Sequence, residues 1–292
     1  MEWKVLRGNT EGIWATGALI PLYHLPGGDV VLIDTGAREQ PELLELLDRR
    51  GLRVRAILCT HLHPDHIANN RLILERDGAE VFAHIRELET LEETYERLRA
   101  TSKLLGVPLP EPDHPITTLK DEKWVDIDGA RFEIIPTPGH TDGHLAYVTP
   151  DGVCCLGDTV MSPDQLALSR LPYLEDIEVG ISSMERLRRT RYPLYLAAHM
   201  GVTEPEGLEE LVEMNVRKEL ELYDVFRGVV TGPMETEAVV TAFMQALGLG
   251  KKAVESPLMR HTAEMRVDAL VNAGEYRREG SLILPAKDTA AG

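Results

Sequence analysis

The chain has 292 residues, 43% of them hydrophobic and 27% charged, and a formal net charge of −17, which fits a globular chain with one large core and argues against a surface built to attract phosphate backbones. Three cysteines, two of them adjacent at 154 and 155, exclude a disulfide framework. No apolar run reaches the roughly 20 residues of a membrane span, and residues 1–7 lack the apolar core of a secretory signal, so a cytoplasmic chain with no membrane partner is expected.

Residues 12–36 alternate short apolar runs with turn residues, namely 13–20, then Pro26-Gly27-Gly28-Asp29, then 30–33, which predicts a β-hairpin or meander ending in Asp34-Thr35-Gly36. Leucines at 43, 44, 46 and 47 mark one face of a helix over 41–50, closed by Gly51. The apolar run 54–59 predicts a strand, a helix follows over 67–77, and Gly78 stops it before a strand at 80–83, giving β-α-β-α-β. Residues 86–105 form a charged amphipathic helix ended by Gly106-Val107-Pro108. It reads first as a solvated face and alternatively as the wall of a substrate cleft. Further strands are predicted at 123–127, 131–135, 145–148 and 153–156.

The strand at 54–59 delivers Thr60-His61-Leu62-His63-Pro64-Asp65-His66, an H-x-H-x-D-H cluster. Neutral imidazole nitrogens and carboxylate oxygens are the donors that zinc and similar divalent ions take, and packing does not account for such spacing. Three later apolar runs end in polar residues of the same kind: His140 in the Pro136-Thr137-Pro138-Gly139-His140 turn, Asp158 in Gly157-Asp158-Thr159, and His199 after 192–198. His61, His63, Asp65, His66, His140, Asp158 and His199 make five histidines and two aspartates, enough for two metals where one needs three or four ligands. Asp34 is a candidate acceptor for the second N–H of a ligating imidazole, a partner that such histidines normally have. Thr141, His144 and His84 lie near these loops; each reads equally as a hydrogen-bonded structural residue or as a participant, and none is assigned to catalysis.

Asp34-Thr35-Gly36, Thr60 to His66, Pro138-Gly139-His140-Thr141, Gly157-Asp158-Thr159 and Ala198-His199 follow one another in an order and spacing that resembles the metallo-β-lactamase-fold hydrolases over most of residues 1–205. The resemblance implies an α/β fold, a four-layered αββα sandwich with a dinuclear site along one edge of its sheets. It also implies that His61, His63 and His140 bind the first metal, that Asp65, His66 and His199 bind the second, and that Asp158 bridges them. Ala68 stands where glycine is common and Asp142 where a second proline is common, and neither change removes a ligand. An aspartate at 158 leans away from the antibiotic-cleaving branches.

After Gly201 helices are expected over 204–227, 236–247 and 257–273, with a hairpin at 277–284 around Glu279-Gly280. This order resembles the winged-helix extension of some members, dividing the chain into a catalytic domain at 1–205 and a helical, winged-helix-like domain at 206–292. Lys251, Lys252, Arg260, Arg266, Arg277 and Arg278 could meet phosphates, but Glu255, Glu264, Asp268, Glu275 and Glu279 dilute them, so packing or homodimerisation is favoured over nucleic-acid docking. Residues 287–292 read as a frayed tail.

The expected activity is that of a dinuclear metal-dependent hydrolase. A metal-bridging hydroxide would attack a small ester-like substrate, a thioester or lactone, with Asp65 as the catalytic group that orients the nucleophile and relays its proton. Phosphodiester or RNA cleavage is the alternative enzyme reading, and a non-catalytic metal-binding or regulatory protein the alternative outside enzymes. Two divalent ions are implied, zinc first, with iron or manganese also suited to this donor set.

Overall fold

The computed structural model describes residues 2–15 and 18–286. A first sheet of seven strands has the order of the chain: β1 (Glu2–Arg7), β2 (Thr10–Ala15), β3 (Ala18–His24), β4 (Val30–Ile33), β5 (Val54–Leu58), β6 (Glu80–His84) and β7 (Thr117–Leu119). Strands β1 to β4 are antiparallel, and β4 to β7 are parallel. Helices α1 (Pro41–Arg49), α2 (Pro64–Ile67), α3 (Asn70–Asp77), α4 (Ile85–Glu89) and α5 (Leu91–Leu105) make the crossovers. A second, six-stranded sheet contains β8 (Trp124–Ile127), β9 (Ala130–Pro136), β10 (Leu145–Val148), β11 (Val153–Cys155), β12 (Leu194–Ala197) and β13 (Gly201–Thr203), with α6 (Pro163–Leu168) and α7 (Ile177–Leu187) between β11 and β12. There follow α8 (Pro205–Val229), β14 (Met234–Glu235), α9 (Thr236–Ala246), α10 (Lys251–Glu255), α11 (Pro257–Asn272), β15 (Tyr276–Glu279) and β16 (Leu282–Pro285).

Alternation within the buried strands builds the layers. Val31 and Ile33 of β4 and Leu145 and Tyr147 of β10 meet between the sheets. Their neighbours Val30 and Leu32 face Leu43 and Leu47 of α1, and Ala146 and Val148 face Met184 and Leu187 of α7 and Leu208 and Val212 of α8. Period-2 side chains on two stacked sheets thus give two outer faces, each covered by helices, which is the expected αββα sandwich.

The structure refines several sequence readings. The run 13–20 is split between β2 and β3, which pair as a hairpin. The helix expected over 67–77 is interrupted, because α2 ends at Ile67 and Asn69 flanks α3. The helix expected over 86–105 is broken at Thr90 into α4 and α5.

Helix α8 serves two cores. Leu208 and Val212 pack on the second sheet, while Leu222 and Phe226 join Val240 and Phe243 of α9, Val267 of α11 and Ile283 of β16. The C-terminal elements form a three-stranded sheet in the order β14-β16-β15, and α11 packs against α5 and α7. Residues 287–292, read as a tail, lie outside the described residues. Among the described residues no helix is long and apolar enough to cross a membrane.

Candidate metal centre

Each of the seven residues singled out from the sequence lies beyond the C-terminal end of a strand. The strands are β5 for His61, His63, Asp65 and His66, β9 for His140, β11 for Asp158 and β12 for His199. Two hydrogen bonds between the sheets draw these ends together: Leu145 N–H to Thr60 O and Leu19 N–H to Ala198 O, both 2.8 Å.

The side chains converge as two groups, His61, His63 and His140 in one and Asp65, His66, Asp158 and His199 in the other, with the donor atoms of each group within 4.8 Å of one another. Asp158 faces both. Its Oδ1 lies 3.3 Å from His66 Nε2 and 3.7 Å from His199 Nε2, and its Oδ2 lies 3.7 Å from His140 Nε2. His199 Nε2 is also 3.7 Å from Asp65 Oδ2.

The donor set fits divalent ions. Nε2 of His61 and of His66 is buried without an aligned hydrogen-bond partner, a costly state for a polar atom unless something else satisfies it. The Asp158 carboxylate is near enough to His66 Nε2 to attract it but does not satisfy it as a hydrogen bond. His63 Nδ1 and His140 Nε2 face each other across 2.9 Å, a hydrogen bond between the two imidazoles that also brings these nitrogens together beside Asp158. Burial and the surrounding imidazoles hold His61 well below the usual histidine range, and burial and His140 push His63 down to about 3. Both are therefore neutral, the form that ligates.

Burial also opposes charge on His66 and on Asp158, but each is outweighed. Asp158 and Asp34 raise His66 well above the ordinary value, and His66, His140 and His199 hold Asp158 well below it.

The far nitrogens are held in place. Asp34 follows β4 with a left-handed backbone, φ +58°, and its carboxylate accepts from Thr60 N–H at 2.7 Å, from the Thr60 hydroxyl at 2.8 Å and from His66 Nδ1 at 2.8 Å. His140 Nδ1 faces the Tyr173 carbonyl at 3.2 Å. The loop that carries His140 is gripped by α7 and the two residues before it: Glu175 N–H and Asp176 N–H donate to Gly139 O, and Ser183 Oγ of α7 donates to Pro138 O. A Cβ on Gly139 would lie 2.2 Å from Gly180 Cα, so glycine is required there for α7 to approach.

Of the three neighbours not assigned to catalysis, His84 faces Lys120 O and Arg86 N–H and meets none of the seven candidates in these contacts. His144 acts on the centre indirectly: its Nε2 accepts from Asp158 N–H at 3.1 Å and its Nδ1 pairs with Thr137 Oγ1 at 2.8 Å. Thr141 donates to Glu87. Tyr173 was not singled out from the sequence, yet its ring packs edge-on against His63 and His140, with centroids 5.1 and 5.3 Å away. Its sequence context carries no metal-site signal.

Residues 22–199 match the family model described as metallo-beta-lactamase superfamily. A hydroxyacylglutathione hydrolase of Methylobacillus flagellatus is 33% identical over 135 residues, which cover 46% of this chain and 44% of that protein. The chain thus spans less than half the length of this relative. Among solved structures, a metallo-beta-lactamase family protein of Thermus thermophilus, TTHA1429, shares the fold with a TM-score of 0.69 at 21% identity, over 92% of this chain and 93% of that one. TTHA1623, crystallised in a di-iron-bound form, has a TM-score of 0.54 at 28% identity, over 70% of this chain and 97% of that one.

Proposed function

Because the chain belongs to the metallo-beta-lactamase superfamily, we propose that it is a hydrolase that holds two divalent ions and cleaves a small thioester, with a lactone as the next substrate class. The observation that carries the two-ion reading is Asp158, whose two oxygens are shared between the two donor groups. His61, His63 and His140 would hold one ion, Asp65, His66 and His199 the other, and Asp158 both. Imidazole and carboxylate donors suit zinc first and iron or manganese as well, and the di-iron form of TTHA1623 supports keeping iron in view. The thioester reading draws on the relative named for hydrolysis of hydroxyacylglutathione, since an acyl group on the glutathione thiol is a thioester.

Ions at these donors would polarise the scissile carbonyl and bring the pKa of water toward ~7. The chain's own residues would do the rest. Asp65, with about half of its side chain exposed and its Oδ2 facing His199, orients the attacking water and takes its proton on a carboxylate oxygen. The Tyr173 ring shields His63 and His140 from bulk water on one side.

Phosphodiester cleavage with the C-terminal unit as a docking module has less support, because α11 is engaged in packing on α5 and α7. A panel of thioesters, lactones, β-lactams and phosphodiesters offered to metal-replete protein tests the proposal. Chelator-sensitive thioester turnover is expected, and turnover of phosphodiesters with none of thioesters or lactones would overturn it.

A further inference from the structure

The first helical turns after β6 carry a buried carboxylate that the proposed chemistry does not use. Glu87 of α4 is 5% exposed. Its Oε2 accepts from Leu62 N–H at 2.9 Å, and its Oε1 accepts from the Thr141 hydroxyl and from Gly143 N–H at 3.1 Å. Leu62 lies between His61 and His63, and Thr141 and Gly143 follow His140. One side chain therefore ties together the two loops that supply all of the first histidine group.

Two further contacts point the same way. The Tyr95 hydroxyl of α5 donates to Leu62 O at 2.8 Å, so both ends of the Leu62 unit are held by the same helical excursion. A Cβ on Gly143 would lie 2.8 Å from Glu87 Cγ, N and Oε1. The loop is bare where the carboxylate enters it.

These loops come from different sheets, one after β5 and the other between β9 and β10. The Leu145 N–H to Thr60 O hydrogen bond joins them near their bases, and Glu87 joins them near the ligands. A metal site needs its donors held to within roughly 0.5 Å by such supports.

We propose that Glu87 is the positioning residue of the His61, His63 and His140 group, setting the separation of its two loops so that the three imidazoles converge. The inference rests on the two-metal reading above.

Co2+ titration of metal-stripped, full-length protein tests it, followed by visible absorption. His140→Ala and His199→Ala proteins serve as references for the spectra lacking the first and second sites. Unaltered protein is expected to take two Co2+ ions. Glu87→Gln keeps an acceptor oxygen for only one of the two loops and turns an NH2 donor toward the other, and Glu87→Ala removes all three contacts. Both should weaken the first site on the order of 10- to 100-fold, the range seen for outer partners of metal ligands, and leave the second within about twofold. Thr141→Val should fall between.

Folded Glu87→Gln and Glu87→Ala proteins that bind both ions with unaltered affinity and spectra would overturn the inference. If Glu87→Ala does not fold, Glu87→Gln and Thr141→Val decide by the same criterion. Unaltered protein that takes no Co2+ would overturn the two-metal reading and this inference with it.

Discussion

Asp34 Oδ2 lies 2.8 Å from His66 Nδ1 while the same carboxylate is pinned by the backbone and hydroxyl of Thr60. The ring of His66 is thereby turned so that Nε2 faces Asp158, and Asp34 links Thr60, which opens the metal motif, to His66, which closes it. Strand β4 thus reaches the centre through a hydrogen bond instead of a ligand.

Asp34→Asn tests that relationship with the least backbone disturbance, because asparagine tolerates the left-handed conformation. The amide cannot serve all three donors as an acceptor. Metal affinity at the Asp65, His66 and His199 group is expected to drop roughly 10- to 100-fold, as read by Co2+ titration. An unchanged affinity in the folded variant would remove Asp34 from the site.

Asp158→Ala strips a carboxylate from both donor groups. Metal content by elemental analysis should fall below two per chain, and turnover should fall by more than the roughly 100-fold typical of outer partners. Retention of two ions and full turnover would refute the shared-carboxylate reading.

Gly157 precedes Asp158 with φ +53°, and a Cβ there would sit 2.7 Å from both His144 Nε2 and Thr60 Oγ1. Gly157→Ala should cost about 1 to 3 kcal/mol from strain and overpacking combined, measurable by urea unfolding. A variant as stable as the parent would show that the turn can relax away from His144.

Arg266 of α11 and Glu219 of α8 form an ion pair at 2.7 Å, with side chains 0% and 2% exposed. Glu219→Ala leaves a buried guanidinium without its carboxylate and should destabilise the protein by about 3 to 5 kcal/mol. Replacing both partners with methionine should cost much less, since no unpaired charge remains. Equal losses from the single and the double substitution would contradict this account.

Burial pushes the Glu87 carboxyl up to about 7 from an ordinary 4.5. Between those values the folded protein keeps a proton that the unfolded chain has lost. The stability drawn from this group is therefore greatest below the unfolded value and declines as pH rises to about 7. In metal-free protein the stability difference between the parent and Glu87→Gln should shrink from about pH 5 to pH 7 and then level off. A difference independent of pH in urea unfolding would count against it.

The layers were legible where burial imposes a strict period. The runs 30–33, 54–58 and 145–148 are apolar almost throughout, Arg55 being the one charged residue among them, because each strand packs on one face against the other sheet and on the other face against helices. Strand β1, an exposed edge, and β7, three residues long, carry no such pattern. Helices α6 and α7 went unread although local signals exist. Ser162 and Gln165 form a reciprocal capping box at α6, and Asp176 caps α7 through Val179 N–H. These capping residues mark both helix starts.

Donor chemistry is a property of residue type, so the seven candidates could be named from the chain alone, in an order that also identified the family. Their partition into two groups with Asp158 between them was available only as what the family resemblance implies; local spacing does not encode it, and physically it depends on strand ends brought together from two sheets. The same holds for the supports. Glu87 stands in the charged stretch Arg86-Glu87-Leu88-Glu89 and reads as one more surface acid. Only the packing of α4 between the two loops removes it from water and sets it against Leu62, Thr141 and Gly143, because a hydrogen-bonding role is decided by which donors are near and by the absence of competing solvent.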